Sequence, residues 1–481
     1  MEELRSSRAY KSFENFKKIN QIPRCSNNEQ AISDYLYELG LSMGLETTRD
    51  EFLNVIIRKP ARPGFEGHPG VCLQGHMDMV CEKEETSNHD FCKDPIDMYI
   101  DGDYIKARGT TLGADDAIGV SMALDILESK DVGHPDLEVL ITSTEETGMD
   151  GVMGLKEDAL KSRRLINIDA EDEGIMIIGC AGGIGATFEL PLTYQNQRNL
   201  TNKKIVISGL KGGHSGLTIG SDHLNAIKLM SNFISKIRSK DQILLQNLSA
   251  GTKHNAIPAK AEAILGIREE DYEDFIEDYK REKDEFISQY LKREPQLTIE
   301  LVDAPEYDVY LSNESAKAVF TAINLLPHGI NSMVLNDETM VESSNNLAIA
   351  RVINDFYRID ISIRSSNEDE KISLMNKIED VSKLLSAGLK FSDGYPMWEP
   401  DFDSELCKIA EEAYKSVSGE ELSVKTIHAG LETGIIAKKY PGMDMISIGP
   451  EIIGAHTPEE KLSISSTERT RDFLVEILSR L

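Results

Sequence analysis

The stretch LEVLITSTEETGMDG, residues 137–151, decides the fold. Its first part, Leu137 to Ile141, is an apolar run that ends at Thr142, and it reads as a buried strand. Glu145 and Glu146 then stand side by side. Adjacent carboxylates repel each other, and near an apolar core both resist ionisation. Such a pair needs a chemical reason, and the rest of the chain supplies one.

The same strand grammar recurs around it. NVIIRKP (54–60), GVCLQGH (70–76) and RLINID (164–169) read as strands. Residues 10–20 and 29–43 read as helices. ADDAIGVSMALDILES (114–129) reads as a helix too, with Ile118, Met122, Leu124, Ile126 and Leu127 at helical spacing. Strands alternating with helices predict a largely parallel, three-layer α/β sheet. After about residue 183 the grammar changes. GATFELPLTY (185–194) and KKIVISGL (203–210) alternate apolar with polar, which suits a sheet with one exposed face. A helix is expected at 221–239, a hairpin through 256–267 and a charged amphipathic helix at 271–291. The order then recurs: strand 297–304, helix 314–326, hairpin 347–366, helix 368–388. Two such βαββα-like units suggest a duplicated α+β domain. From about residue 400 the α/β grammar returns, with helices at 403–417, 431–440 and 466–480 and strands at 423–429 and 443–449. The expected organisation is one α/β domain interrupted by an insertion: 1–183 and 399–481 form the first domain, and 184–398 form the inserted one.

Composition narrows the function. A chain of 481 residues is too long for one ordinary core. No apolar run approaches the roughly 20 residues that cross a bilayer, and the polar N-terminal stretch lacks a signal peptide's apolar centre. A net charge of −30 opposes binding to nucleic acid. The six cysteines are scattered without a CxxC pair, so the expectation is reduced thiols in a cytoplasm and no cysteine-based zinc site.

Acids and histidines recur where the expected strands end. They are His76 and Asp78 after GVCLQG, Asp115–Asp116 in GTTLGADD, Glu145–Glu146, Asp169 in NIDAED, and His456 in SIGPEIIGAHTPEE. Ligand sites in open α/β sheets gather at the carboxyl ends of strands. Two histidines with several carboxylates suit zinc, with cobalt or manganese as alternatives. Two such ions sharing a bridging carboxylate would lie roughly 3.5–4 Å apart and activate a water between them. The adjacent glutamates then have a rationale: one is a ligand, and its neighbour takes a proton. Taken singly, each motif has a plainer reading. ADD before a helix is good capping chemistry, TEE suits a solvated loop, and His456 alone suits a surface. All five together resist that reading.

At these residues the chain resembles a known family, the co-catalytic metallopeptidases that include glutamate carboxypeptidase, aminoacylase and tripeptidase relatives, and within it the aminoacyl-histidine dipeptidase branch. The motifs are LQGHMDMV, GTTLGADDAIG, TSTEETGMDG, LINIDAEDEG, GCAGG, GGHSG, KHNAIPAKAEA, HAGLETG and GPEIIGAHTPEE. The resemblance implies a zinc-peptidase-like catalytic domain with an inserted, duplicated ferredoxin-like lid, and a homodimer formed through that lid. It implies two zinc ions per subunit. His76 and Asp169 would hold one, Glu146 and His456 the other, and Asp115 would bridge them. Asp78 would orient His76, and Glu145 would be the general base and then acid. A cis peptide is expected between Asp115 and Asp116. His214 would reach the substrate carbonyl, and Asn255 and Arg364 would hold the peptide's terminal carboxylate. His428 and Glu432 are candidates for the free amine or imidazole. GCAGGIG reads equally well as a bare domain hinge. The implied activity is a cytoplasmic dipeptidase acting on Xaa-His peptides, with a broader dipeptide range as the alternative. Two rivals stand beside it: a deacylase of acyl amino acids on the same fold, and a silent, lid-dimerised binding protein.

Overall fold

The computed structural model describes the chain except residues 1, 217, 238–242 and 336–338. It divides into two compact units. The first comprises Met1–Cys180, Trp398–Thr426 and Leu431–Leu481, and the second Ala181–Met397 with Ile427–Gly430.

The Leu137–Thr142 stretch forms a strand with all six residues buried, and Val71–His76 beside it is buried throughout. They lie in an eight-stranded sheet ordered Glu46–Arg49, Val55–Lys59, Leu137–Thr142, Val71–His76, Arg164–Asn167, Asp444–Ser447, Ile175–Cys180 and Ser423–Ile427. The central four strands pair in parallel. Val55–Lys59 pairs antiparallel to Leu137–Thr142, and Glu46–Arg49 antiparallel to Val55–Lys59. Parallel strands covered on both faces are largely apolar, and the central runs are, apart from buried Gln74, Thr142, Asn167 and Ser447 near their carboxyl ends. Glu138 is a further exception, buried at 4% exposure. It accepts hydrogen bonds from Arg58 Nε at 2.9 Å and from the backbone N–H groups of Lys161 and Ser162 at 2.9 and 2.7 Å, which satisfies its charge. Helix Ala114–Glu128 is buried on every side up to Leu127 and packs on helix Tyr10–Ile19. A small sheet of Met98–Asp101, Tyr104–Ala107, Ile452–Ile453 and Lys461–Ser463 carries the hairpin loop that contains His456.

The cysteine expectation needs correction. Cys25 and Cys81 form a disulfide, and four cysteines remain free. Fifty-six residues separate the pair, so sequence spacing conceals a contact made by two loops that bridge at Cys25 and Met79.

The second unit is organised around one large antiparallel sheet built from two ferredoxin-like halves, with two short two-stranded ladders beside it. The first half runs strand Leu200–Ser208, helix Ala226–Ile237, strands Ile243–Ala250 and Ala261–Arg268, helix Tyr272–Tyr290, strand Thr298–Asp303. The last two residues of the expected 221–239 helix lie outside the described residues. The second half runs strand Gly182–Pro191, helix Asn313–Leu325, strands Val341–Ile353 and Phe356–Ser365, helix Glu368–Leu384, strand Gly388–Phe391. In both halves the fourth strand flanks the first and the third separates first from second. The halves join where Ala250 pairs with Ala350. The duplication is therefore present, but its boundary differs from the expected one. Strand 297–304 closes the first half beside Leu200–Ser208 instead of opening the second. The opening strand of the second half precedes the whole first half in sequence, and local periodicity carries no record of that nesting.

Candidate metal centre and recognition residues

Because Val71–His76, Leu137–Thr142 and Arg164–Asn167 are mutually parallel, their carboxyl ends share one edge of the sheet. His76 ends the first of these strands, Glu145–Thr147 forms a short 3-10 turn after the second, and Asp169 follows the third. Asp115 sits in the opening turn of helix Ala114–Glu128, where the Asp115–Asp116 peptide is cis. His456 comes from the hairpin loop.

These side chains form two triads sharing one carboxylate. His76 Nε2 lies 3.0 Å from Asp115 Oδ1 and 3.3 Å from Asp169 Oδ1. His456 Nε2 lies 3.0 Å from Asp115 Oδ2 and 3.0 Å from Glu146 Oε1. Each triad offers one imidazole nitrogen and two carboxylate oxygens, a donor set suited to zinc, cobalt or manganese. The buried Glu146 Oε1 makes no protein hydrogen bond, and neither does His76 Nδ1, which faces Asp78 Oδ1 at 3.4 Å. The residues present therefore fit a pair of divalent cations. Their own electrostatics say the same. Burial pushes the Asp169 carboxyl up to about 7, with neighbouring Asp115 adding to the shift. Asp115 is held far below the usual range despite its burial, because both histidines bond to it. His456 is drawn up to about 11 by Asp115 and Glu146. Acids crowded this closely need positive charge between them.

Asp78 is fully buried, and its carboxylate accepts the backbone N–H of Glu145 at 3.0 Å, that of Glu146 at 3.3 Å and the Ser26 hydroxyl at 2.8 Å. It thus ties His76 to the turn that carries both glutamates. Burial above all, with Asp169, Glu432 and Glu146 nearby, raises the Glu145 carboxyl well above its ordinary value. Thr144, just ahead of it, has φ of 54°, an unusual value for a β-branched residue. Its N–H donates to Glu29 at 3.1 Å and its carbonyl accepts from Met149 at 2.8 Å, which hold the turn that aims the glutamates.

Two residues that the sequence reading passed over frame the centre. The Glu460 carboxylate accepts from the backbone N–H groups of Leu112, Gly113 and Ala114 at 2.7, 2.9 and 2.7 Å, fixing the approach to Asp115. The buried Arg24 guanidinium donates to the carbonyls of Met77, Asp78 and Gly113. Glu460 ends the HTPEE motif, which was its one visible signal. Arg24 gave none, because apart from Asn20 Oδ1 its partners are backbone carbonyls distant in sequence.

In the second unit, His214 pairs with Ala256 across a two-residue ladder, and Ser215 N–H donates to the Asn255 carbonyl at 2.8 Å, so His214 and Asn255 are neighbours. Arg364 is 8% exposed, and His428 Nε2 lies 2.7 Å from the Ser344 hydroxyl. Ser344 is Arg364's partner across the strands, which brings Arg364 and His428 together. Burial and the Arg364 charge lower His214 from its ordinary value and push His428 down to about 4, so both imidazoles are neutral near pH 7. Glu432 lies in the first unit at 1% exposure, where Oε2 accepts from Thr142 Oγ1 at 2.6 Å and Gln74 Nε2 at 2.7 Å and Oε1 has no hydrogen-bond partner among the described residues.

The chain belongs to the peptidase family M20/M25/M40, whose pattern matches residues 72–480. It is 37% identical over 470 residues to the cytosol non-specific dipeptidase of Escherichia coli strain K12, covering 97% of this chain and 96% of that one. Its structure is similar to that of aminoacylhistidine dipeptidase from Vibrio alginolyticus, with a TM-score of 0.91 and 34% identity over 100% of this chain and 99% of the other. Aminopeptidase PepT from Bacillus cereus ATCC 10987 shares the fold, with a TM-score of 0.56 and 16% identity, covering 98% of each chain.

Proposed function

We propose that this chain is a cytoplasmic dipeptidase that uses two zinc ions per subunit and cleaves dipeptides with a free amino terminus. The observation that carries this reading is Asp115, whose two carboxylate oxygens each lie 3.0 Å from a different histidine, with Asp169 and Glu146 completing the two sets. Divalent cations held there would polarise the scissile carbonyl and lower the pKa of an attacking water. His76 and Asp169 would hold one, Glu146 and His456 the other, with Asp115 shared and cobalt or manganese as substitutes.

The chain's own groups do the rest. Glu145 takes the proton from the attacking water and returns it to the leaving amine nitrogen. Asp78 fixes the turn that aims Glu145 and keeps His76 oriented. His214, neutral near pH 7, donates to the oxygen that gains charge in the transition state. Arg364 and Asn255 hold the peptide's terminal carboxylate, and His428 lines that pocket. The relatives' names differ in breadth, one non-specific and one aminoacylhistidine, and we assign this chain a broad dipeptide range that includes Xaa-His. It acts as a homodimer through the second unit.

The test is release of free amino acids from a dipeptide panel by chelator-stripped protein, before and after zinc is restored. Zinc-restored cleavage supports the reading. Cleavage confined to acyl amino acids would replace it with a deacylase. Glu145→Ala retaining full activity would remove Glu145 as the base.

A further inference from the structure

Three glycine motifs of this chain converge on one tyrosine–arginine pair in the second unit. Tyr395 bridges to Gly183 through two backbone hydrogen bonds, its N–H to the Gly183 carbonyl at 2.8 Å and its carbonyl from the Gly183 N–H at 3.0 Å. A side chain at Gly183 would collide with the Tyr395 ring, and a Cβ at Gly430 would stand 2.6 Å from ring carbon Cε2. At Gly216 a Cβ would stand 2.5 Å from the His428 carbonyl and 3.2 Å from Arg364 Cζ. GCAGG and HAGLETG therefore need glycine at Gly183 and Gly430 for close approach to the Tyr395 ring, and GGHSG needs it at Gly216 for close approach to the His428 carbonyl beside Arg364. The clasped ring places its hydroxyl 2.6 Å from Arg364 Nη1.

The chemistry of that contact matters. Arg364 is 8% exposed, and its Nε has no hydrogen-bond partner among the described residues. No carboxylate among the described residues forms an ion pair with it. A buried guanidinium is ordinarily paired with a carboxylate, because an unpaired buried charge is costly. Here a phenol orients the fork without neutralising it.

We infer that Tyr395 is a positioning residue for substrate recognition: its hydroxyl aims Arg364 at the terminal carboxylate of the peptide while leaving the positive charge uncompensated for that ligand. The inference rests on the assignment of Arg364 made above. It makes the second unit a reader of the free carboxyl end, with Gly183 and Gly430 as the seats of the reading residue's support.

The experiment compares a dipeptide with its C-terminal amide on the zinc-loaded full-length protein, in the parent, Tyr395→Phe, Arg364→Gln and the double variant. The readout is the ratio of kcat/KM for acid over amide. Hydrogen bonds to charged groups translate to roughly a 10- to 100-fold effect. Arg364→Gln is expected to lower the ratio about 100-fold and Tyr395→Phe about 10-fold, through KM for the acid and with kcat nearly unchanged. The double variant should fall no further than Arg364→Gln, because the two residues act as one unit. Gly430→Ala, which displaces the ring, should move the ratio in the same direction. A ratio lowered by Arg364→Gln but unmoved by Tyr395→Phe would overturn the Tyr395 role and leave the Arg364 assignment standing, as would a Tyr395→Phe loss of kcat shared equally by acid and amide. A ratio unmoved by Arg364→Gln would remove the carboxylate assignment itself, and this inference with it.

Discussion

Replacing Glu460 should loosen the metal centre without touching a metal ligand. Its side chain is 3% exposed and its two oxygens accept three successive backbone N–H groups, those of Leu112, Gly113 and Ala114. Asp115 follows directly. Each buried donor left unpaired costs about 1–3 kcal/mol, so three would cost about 3–9 kcal/mol. Two effects reduce this. Glu460→Ala opens a polar cavity that water enters, satisfying one or two donors. The substitution also removes the expense of burying a carboxylate. Against that relief, buried Arg24 draws its largest charge support from Glu460 and loses it. A net loss of about 3 kcal/mol follows for Glu460→Ala, and about 2 kcal/mol for Glu460→Gln, whose amide oxygen still accepts one or two N–H groups. The neighbouring Glu459 is exposed, and Glu459→Gln, the same charge change, should leave stability unaltered. The assay is urea unfolding of the metal-stripped protein, paired with zinc affinity by chelator competition. Both Glu460 variants should also bind zinc more weakly, since the carboxylate that bridges the two triads is set by this loop. Unfolding midpoints equal to the parent's, with zinc affinity within twofold, would refute the reasoning.

Three further outcomes are expected. Asp78→Asn should weaken zinc binding about 10- to 100-fold, and unchanged affinity in a chelator competition would show that Asp78 does not orient His76. Partly buried His328 is pushed down to about 4 by burial, with Lys228 adding to it. Its unfolded form takes up a proton first, so its contribution to stability is complete above about pH 6.5 and lost as pH falls toward 4; His328→Gln should show a shallower fall of the urea midpoint over that window, and identical slopes would sink the idea. Glu432 shifts the other way, burial pushing it up to about 8, so its contribution is complete below about pH 4.5 and lost as pH rises through 8. Glu432→Gln should therefore be the more stable protein at pH 8.5 in metal-stripped samples, and a variant less stable there than the parent would count against it.

What the sequence made legible, and what it concealed, follows from where each residue finds its partners. The Leu137–Ile141 run named a buried strand because its burial is decided by its own side chains. His76, Glu146 and Asp169 were legible for a related reason: each ends or closely follows one of three mutually parallel strands, whose ends share one edge, whereas Asp115 comes from a helix start and His456 from a hairpin loop. Antiparallel flanking, the nested duplication and the Cys25–Cys81 bridge were not legible, because each depends on a partner distant in sequence. Glu432 shows the limit most directly. Beside a histidine and glycines it reads as a pocket residue, yet its partners are Thr142 and Gln74, from two strands near the other end of the chain.

Those partners also explain how an apolar sheet supports a charged edge. Gln74 accepts from Asn167 Nδ2 at 2.7 Å, and Asn167 Oδ1 accepts from the Ser447 hydroxyl at 2.5 Å. With Glu432 and Thr142 the chain of hydrogen bonds crosses all four parallel strands. Gln74 lies two residues before His76, Thr142 three before Glu145, and Asn167 two before Asp169. An apolar layer at this level would pack well but would tolerate a small slip between strands. Directional hydrogen bonds in a low-dielectric interior do not, because each slipped group would be left unpaired at about 1–3 kcal/mol. The layer therefore sets the relative height of the strands just before they deliver their ligands. The acids at the edge depend on spacings near 3 Å to share charge without mutual expulsion, and the polar layer beneath them is what makes such spacings reproducible.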